Sequence, residues 1–280
     1  MKDTYLITGS AGFIGSNLVR HLMYVNNCNI VGIDKLNSII SMHNVYVNKS
    51  HDFYIGDVRD KKFLNKIFEL FQPSKVIHLA ESQKICKELK GIENVLYCCE
   101  KYNIQKLIYL TSQTYNDSYS CVVKQAAENL ISISKVPFYI LRTPEIFGPR
   151  QNPGTIPNFI YHIMNKQTIF TSHVNTSRNL LYVEDVCKAI NSACDIKDSG
   201  IIELANDNCM TDLELISFMV NKIIPYDVDF IRNKIQSMST NEISDKLSSN
   251  CSQINWKPGI LNEQLKYTIN WYKNNKWIWK

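Results

Sequence analysis

The stretch LITGSAGFIGSNLV near the start constrains this chain more than any other. Residues 4–8, TYLIT, form a short apolar run of β-prone side chains that stops at Gly9, and FIGSNLVRHLMYV carries apolar residues at the i, i+3, i+4 spacing of a helix. A strand, a glycine turn and a helix therefore follow one another, with Gly9, Gly12 and Gly15 standing as G-x-x-G-x-x-G in the turn. Each glycine has a task there. Gly9 permits the tight bend, Gly12 removes a side chain where backbone must approach a diphosphate, and Gly15 lets the helix pack closely on the strand. The first N–H groups of the helix, at Phe13 and Ile14, offer themselves to the same anion. A tight turn without any ligand is the competing reading, and the next acid along the chain argues against it.

That acid is Asp34, which closes the second β-prone run, CNIVGID, roughly 20 positions after Gly15, where a carboxylate accepts hydrogen bonds from ribose hydroxyls. A carboxylate there repels a 2′-phosphate, so NAD is expected over NADP, although Lys35 beside it leaves NADP open. Asp57, after the third run HDFYIGD, falls where it could sit beside an adenine ring or simply serve as a turn residue.

Strand-like KVIHLA, KLIYLT and FYILRT then alternate with helix-like KKFLNKIFELF, GIENVLYCCEKYN and VVKQAAENLISIS, a rhythm that demands a parallel sheet covered by helices on both faces. The expected fold class is α/β, a Rossmann-type doubly wound parallel sheet with a smaller C-terminal substrate-binding lobe. Residues 1–150 form the dinucleotide-binding body and 175–205 return to it; 151–280 mostly form the lobe. The polar stretch STNEISDKLSSNCSQ reads as surface.

Composition excludes several classes. Thirty-one basic residues against 26 acidic ones are spread without Lys/Arg blocks, which argues against a nucleic-acid surface. No run approaches the roughly 20 apolar residues of a membrane span. Nine cysteines form no C-x-x-C pair, six histidines do not cluster, and the N-terminus reads as no signal peptide, so reduced thiols in the cytoplasm and no metal are expected. Neighbouring Cys98 and Cys99 would point to different faces of a helix as packing residues.

TGSAGFIGSN, the DKL of 34–36, GDVRD at 56–60, HLAES at 78–82 and RNLLYVEDV at 178–186 together resemble the extended short-chain dehydrogenase/reductases that modify nucleotide sugars, above all the dTDP- or UDP-glucose 4,6-dehydratases. LRTPEIFGPRQNPGTIPNFI is similar to that family's R-x-x-N-x-Y-G-P-x-Q segment, and the aromatic C-terminus resembles its last helix. The resemblance implies NAD held by Gly9, Gly12, Phe13, Ile14, Gly15, Asp34, Asp57, Val58, Leu79 and Lys124. It implies a nucleotide-diphosphate sugar as substrate, met by Glu81, Ser112, Gln113, Glu145, Arg150 and Arg178, and a homodimer built on the helices GIENVLYCCEKYN and VVKQAAENLISIS. For catalysis it implies Thr111, a tyrosine and Lys124 at the sugar C4 hydroxyl, followed by elimination managed by an acidic pair in a T-D-E-V-Y-G segment.

The chain departs from that pattern at the chemistry. TSQTYN retains Thr111 but replaces the acidic pair with Ser112 and Gln113, which hold a water or hydroxyl but move no proton as a carboxyl does. The family's Y-x-x-x-K would put the tyrosine at Ser120; Tyr119 lies one residue further, rotated about 100° on an ideal helix, and recovers the position if the chain enters the helix through a non-helical or bulged first turn. Glu145 replaces an asparagine, and a carboxylate there repels a diphosphate. Two readings follow: an epimerase or 4-ketoreductase with impaired dehydration, or a non-catalytic protein that holds NAD or a nucleotide sugar as a sensor or partner subunit.

Overall fold

A computed structural model of the chain describes residues 2–25, 28–46, 49, 51–82, 84–112, 119–151, 153–171, 174, 177–225, 227–237 and 250–279. They fall into two compact units. The first holds 1–143, 186–204 and 250–256; the second holds 144–185, 205–249 and 257–280. In chain order the elements are β1 (Thr4–Thr8), α1 (Phe13–Val25), β2 (Asn29–Asp34), α2 (Ile39–Asn44), β3 (His51–Ile55), α3 (Lys61–Phe71), β4 (Lys75–His78), α4 (Ile85–Lys101), β5 (Lys106–Ser112), α5 (Tyr119–Ile133) and β6 (Phe138–Thr143). There follow β7 (Glu145–Phe147), α6 (Thr155–Met164), β8 (Ile169–Thr171), β9 (Ser177–Arg178), β10 (Leu180–Tyr182), α7 (Val183–Ala193), β11 (Gly200–Glu203), β12 (Met210–Thr211), α8 (Asp212–Ile223), α9 (Val228–Asn233), β13 (Ile235–Ser237) and α10 (Leu261–Asn274).

In the first unit seven described strands make one sheet in the order β11-β6-β5-β4-β1-β2-β3, every pair parallel. A sheet covered on both faces needs strands apolar on both, and Leu6, Ile7, Val76, Ile77 and Ile108 are fully buried in just that way. Helices α3, α4 and α5 bury Leu64, Phe68, Ile92, Val95 and Ile131 against Leu6, Val31 and Leu107 in one cluster. Helix α3 starts where the Asp60 carboxylate accepts the N–H groups of Lys62 and Phe63, both at 3.0 Å, and stops at Gln72 in the left-handed region. Cys98 and Cys99 both reach the core, because α4 is flanked by α3 and α5 as well as lying on the sheet. Helix α5 begins at Tyr119, three residues earlier than the apolar pattern VVKQ suggests, so its first turn is helical and lacks the non-helical or bulged entry that would shift Tyr119 to the place of Ser120.

The second unit is built from short pairs: β10 parallel to β7, β9 antiparallel to β12, β13 parallel to β8. Helices α6, α8 and α10 pack on one another and bury Ile160, Leu215, Met219, Leu265 and Tyr272. Helix α8 carries a reciprocal cap, with the Thr211 hydroxyl accepting the Glu214 N–H and the Glu214 carboxylate accepting the Thr211 N–H. Residues 239–249 of the expected surface stretch lie outside the described residues. Among the described residues no helix is long and apolar enough to cross a membrane.

Candidate active site

The turn after β1 is tied down from two sides. Gly9 N–H donates to the Ile33 carbonyl at 2.8 Å, and the Asp34 carboxylate at the end of β2 accepts the Ala11 N–H at 3.1 Å and the Leu36 N–H at 3.0 Å. On the other side the Thr8 hydroxyl and His78 Nδ1 pair at 2.6 Å while Ala80 N–H donates to the Thr8 oxygen at 3.3 Å, which fixes the end of β4 beside the turn. Complete burial pulls the His78 pKa down to about 4, so its ring stays neutral. Neither Thr8 nor His78 stands out in the sequence, because a threonine and a histidine at strand ends carry no spacing signal.

The three glycines answer to different neighbours. Gly9 has φ +70, and a Cβ on it would lie 2.7 Å from the Leu79 carbonyl carbon; a Cβ on Gly15 would lie 2.1 Å from the Gly9 carbonyl oxygen. Packing within the protein accounts for both. A Cβ on Gly12 meets only the Gly9 oxygen, at 3.1 Å, so most of what surrounds that position is open. Gly9, Gly12, Phe13, Ile14 and Gly15 line a hollow of about 230 Å³ whose far wall is His78, Leu79, Ala80, Glu81, Glu88, Tyr109 and Leu110. A bare Gly12 beside the N-terminus of α1 fits the diphosphate of a dinucleotide, and Asp34 keeps further lone pairs for a ribose.

Asp57 is clamped by its own neighbour. Its carboxylate accepts the Arg59 backbone N–H at 2.9 Å and pairs with the Arg59 guanidinium, and that hydrogen bonding holds its carboxyl below the usual carboxylate range. Val58 packs against the helical core layer, and its carbonyl accepts Asn94 Nδ2 at 3.1 Å. Asp34, Asp57 and Val58 flank the turn rather than line the 230 Å³ hollow.

Tyr119, Ser120, Val123 and Lys124 of α5, with Glu81, Ser82 and Glu88, line a second hollow of about 310 Å³. The Tyr119 phenol oxygen accepts the Ile85 N–H at 3.1 Å, and the Lys124 ammonium lies 3.4 Å from Glu81. Thr111 at the end of β5 is buried with its hydroxyl unpartnered among the described residues, while its carbonyl accepts the Thr143 hydroxyl at 3.2 Å. Ser112 closes β5 half-buried, and Gln113 lies outside the described residues. The sequence reading missed Glu88. This carboxyl belongs to both hollows, is 3% exposed, and burial pushes its pKa up to about 7.

The remaining candidates sit in the second unit. The β9–β12 pairing sets Arg178 opposite Met210, beside the start of α8, and there Arg178 Nε donates to Asp212 at 2.5 Å and Nη2 to its other oxygen at 3.3 Å. Arg178 Nη1 donates to Glu145 at 2.8 Å. Asp212 is fully buried and also takes the Thr171 hydroxyl. The sequence shows Arg178 and Glu145 separately, but nothing in its spacing shows that they neutralise each other or that Asp212 joins them. Arg178 and Thr171 border a hollow of about 260 Å³ with Asn158, Phe159, His162 and Phe170. Arg150, with φ 72, lies 5.6 Å from the centre of the Trp271 ring.

A parallel doubly wound sheet, a glycine turn with an acid closing the next strand, and a helix-borne tyrosine and lysine beside the turn define a dinucleotide-binding protein of the Rossmann type. The family model described as GDP-mannose 4,6 dehydratase matches residues 6–91, and that described as the NAD dependent epimerase/dehydratase family matches 117–204. A dTDP-D-glucose 4,6-dehydratase of Dictyostelium discoideum is 27% identical over 98% of this chain and 82% of its own length. A putative UDP-glucose 4-epimerase of Methanocaldococcus jannaschii is 27% identical over 96% of this chain and 98% of its own. Among solved structures, the dTDP-glucose 4,6-dehydratase of Bacillus anthracis in complex with NAD superposes with a TM-score of 0.85 at 18% identity, covering 99% of this chain and 98% of that one. The chain is thus similar over residues 117–204 to the NAD dependent epimerase/dehydratase family and, over nearly its whole length, to relatives named as nucleotide-sugar dehydratases and epimerases.

Proposed function

We propose that this chain holds NAD at the glycine turn and uses Thr111, Tyr119 and Lys124 to interconvert a hydroxyl and a carbonyl on a nucleoside-diphosphate sugar, as an epimerase or 4-ketoreductase does, with 4,6-dehydration impaired. The observation that carries this reading is the grouping of Tyr119, Lys124, Glu81 and Glu88 around one hollow that shares a wall with the dinucleotide hollow. The sugar-modifying names of its relatives support the same substrate class. Bound NAD supplies a hydride acceptor and donor. The residues supply the rest. The Tyr119 oxygen accepts the Ile85 N–H and Lys124 lines the same hollow, so in this reading Tyr119 takes the hydroxyl proton, Lys124 supplies the neighbouring cation and Thr111 orients the hydroxyl. In this reading Asp34, Asp57, Val58 and Leu79 serve the adenosine and ring ends of NAD. Ser112 and Gln113 hold the sugar, and Arg178, Arg150 and Glu145 serve the nucleotide.

The test is incubation with UDP-glucose, UDP-N-acetylglucosamine and dTDP-glucose, each with NAD. A C4-epimerised or 4-keto product without 4-keto-6-deoxy sugar is expected; a 4-keto-6-deoxy product formed at roughly 1 per second or faster overturns the impaired-dehydration reading. The non-catalytic alternative is favoured by one observation, that the Tyr119 hydroxyl is already engaged by the Ile85 N–H on a side chain 59% exposed. NAD or a nucleotide sugar released from the purified protein, with no turnover of any of the three sugars, would select it. A homodimer is supported by the exposed apolar side chains Tyr97 of α4 and Val122 and Ile133 of α5.

A further inference from the structure

Glu88 is given no proton to move in the proposed chemistry, yet of the two carboxyls that line both hollows of the first unit, Glu81 and Glu88, it is the buried one. It is 3% exposed. A carboxylate taken out of water is ordinarily matched by a cation. Among the described residues none is within ion-pair distance of Glu88, since the Lys124 ammonium is given to Glu81, which is 62% exposed. What Glu88 does have is two dipoles: Oε2 accepts the Ser82 N–H at 2.6 Å, and Oε1 lies 3.5 Å from the Tyr109 hydroxyl.

The groups facing it come from three elements. The segment after β4 brings Glu81, a like charge, together with the Ser82 backbone. Strand β5 brings Tyr109, whose phenol is itself pushed up by burial and backed by the stacked, neutral His78 ring at 6.0 Å. Helix α5 brings Lys124 and Tyr119, and Glu128 acts on Tyr109 while paired at 2.7 Å with Arg142. Lys84, the residue before α4, gives its carbonyl to the Glu88 N–H. Burial, the largest influence, and the like charge of Glu81 favour the neutral form; the Ser82 N–H, the Tyr109 hydroxyl and Lys124 oppose them, and Lys124 is paired with Glu81.

Position in the sheet says which half of a dinucleotide Glu88 would meet. Asp34 ends β2, the glycine turn follows β1, and Leu79 to Glu81 follow β4, in the spatial order β2-β1-β4-β5. A dinucleotide with its adenosine ribose at Asp34 and its diphosphate at Gly12 therefore runs toward β4 and β5, and its nicotinamide half reaches the wall that contains Glu88. That ring is cationic when oxidised and neutral when reduced.

We propose that Glu88 exchanges a proton in step with the charge of the bound nicotinamide, ionised against the oxidised ring and protonated against the reduced one. The proposal rests on the dinucleotide reading above. When a substrate hydroxyl is oxidised, its C–H electron pair leaves with hydrogen to the oxidised dinucleotide and its O–H proton leaves for the protein; the Glu88 carboxylate is the group whose proton affinity rises at that moment, so the proton ends there. Reduction returns both. In this chain a buried acid thus supplies a proton store that the serine and glutamine after Thr111 cannot.

Binding reads this without turnover. With the full chain, calorimetric titration of NAD and of NADH between pH 6 and pH 8 is expected to show NAD affinity rising about tenfold with pH, one unit of differential proton affinity, while NADH affinity changes less than about twofold or falls. Glu88→Gln should flatten the NAD profile. If that variant does not fold, the wild-type protein titrated at pH 7 in two buffers of different ionisation enthalpy should release a fraction of a proton on binding NAD and none on binding NADH. Parallel pH profiles for the two dinucleotides, or a Glu88→Gln protein that keeps the wild-type difference, overturn the proposal while leaving dinucleotide binding intact. Failure to bind either dinucleotide at any pH overturns both readings.

Discussion

In the first unit the turn after β1 presents helix N–H groups and a bare Gly12 to an open hollow, whereas in the second unit the arginine beside a hollow of similar size is already held by two carboxylates. The first arrangement receives an anion with fixed dipoles that cost nothing to reorganise. The second carries one positive and two negative charges at Arg178, Glu145 and Asp212, so a diphosphate approaching Arg178 meets a site whose net charge opposes it. A buried arginine signifies anion binding only when its charge is not already spent. Even within the first unit the balance varies: Asp57 is matched by Arg59, while Glu88 is matched by no cation among the described residues.

The largest expected effect tests whether the glycine turn owes its form to a ligand or to packing. Gly15→Val should prevent folding of the first unit, because its Cβ would stand 2.1 Å from the Gly9 oxygen. Gly12→Val has no such clash and should fold, with circular dichroism like that of the wild type, yet lose NAD affinity by about 100-fold or more, roughly 2.7 kcal/mol. A Gly12→Val protein with unchanged affinity by calorimetry would mean that the hollow holds no diphosphate, and the contrast between the units would vanish.

The legible part of the molecule follows the same division. The glycine spacing, the acid at the end of β2 and the strand–helix alternation are local or periodic signals, and they yield the sheet and the dinucleotide turn directly. Thr111, Tyr119, Lys124 and Glu81 are legible only through resemblance to a family. What no spacing reveals is pairing across the fold. Thr8 and His78 are 70 positions apart, Arg178 and Asp212 are 34 apart, and the hydrogen bonds that define their roles exist only once β1 lies on β4 and β9 on β12. Glu88 escaped notice for a related reason. On a helix wheel it reads as an ordinary polar position of α4, and only the walls of two hollows make it an unusual one.

The intermediate effect concerns that unmatched acid. With a folded-state pKa raised from 4.5 to about 7, Glu88 keeps a proton in the folded protein that the unfolded chain has released. The folded state therefore loses stability as pH rises through that window, and the penalty is complete above about pH 7. Glu88→Gln retains a hydrogen-bonding carbonyl oxygen toward the Ser82 N–H without the charge. It should raise stability by about 1–3 kcal/mol at pH 8 and by almost nothing at pH 4.5, as measured by thermal melting. An equal gain at both pH values would trace the effect to packing.

The smallest expected effect decides how the second unit treats a nucleotide. Glu145 and Arg178 pair at 2.8 Å with side chains 28% and 19% exposed, partly reached by solvent, so their attraction is screened and the pair contributes modestly to stability. Glu145→Gln keeps the shape and a hydrogen-bonding oxygen but removes one negative charge, while Asp212, fully buried, still orients the guanidinium through two hydrogen bonds. Arg178 then stands with one carboxylate instead of two. A diphosphate near it gains on the order of 1 kcal/mol, roughly fivefold in affinity, and because the gain is electrostatic it should shrink as salt rises past the Debye regime of about 0.15 M. Titration of UDP and dTDP against the wild-type and Glu145→Gln proteins, at low and high salt, measures both. A fivefold gain that salt erases means that Glu145 restrains an anion site at Arg178. Affinities equal in the two proteins at every salt concentration mean that Arg178 is structural, and the nucleotide must then be bound by groups other than the Glu145–Arg178–Asp212 cluster.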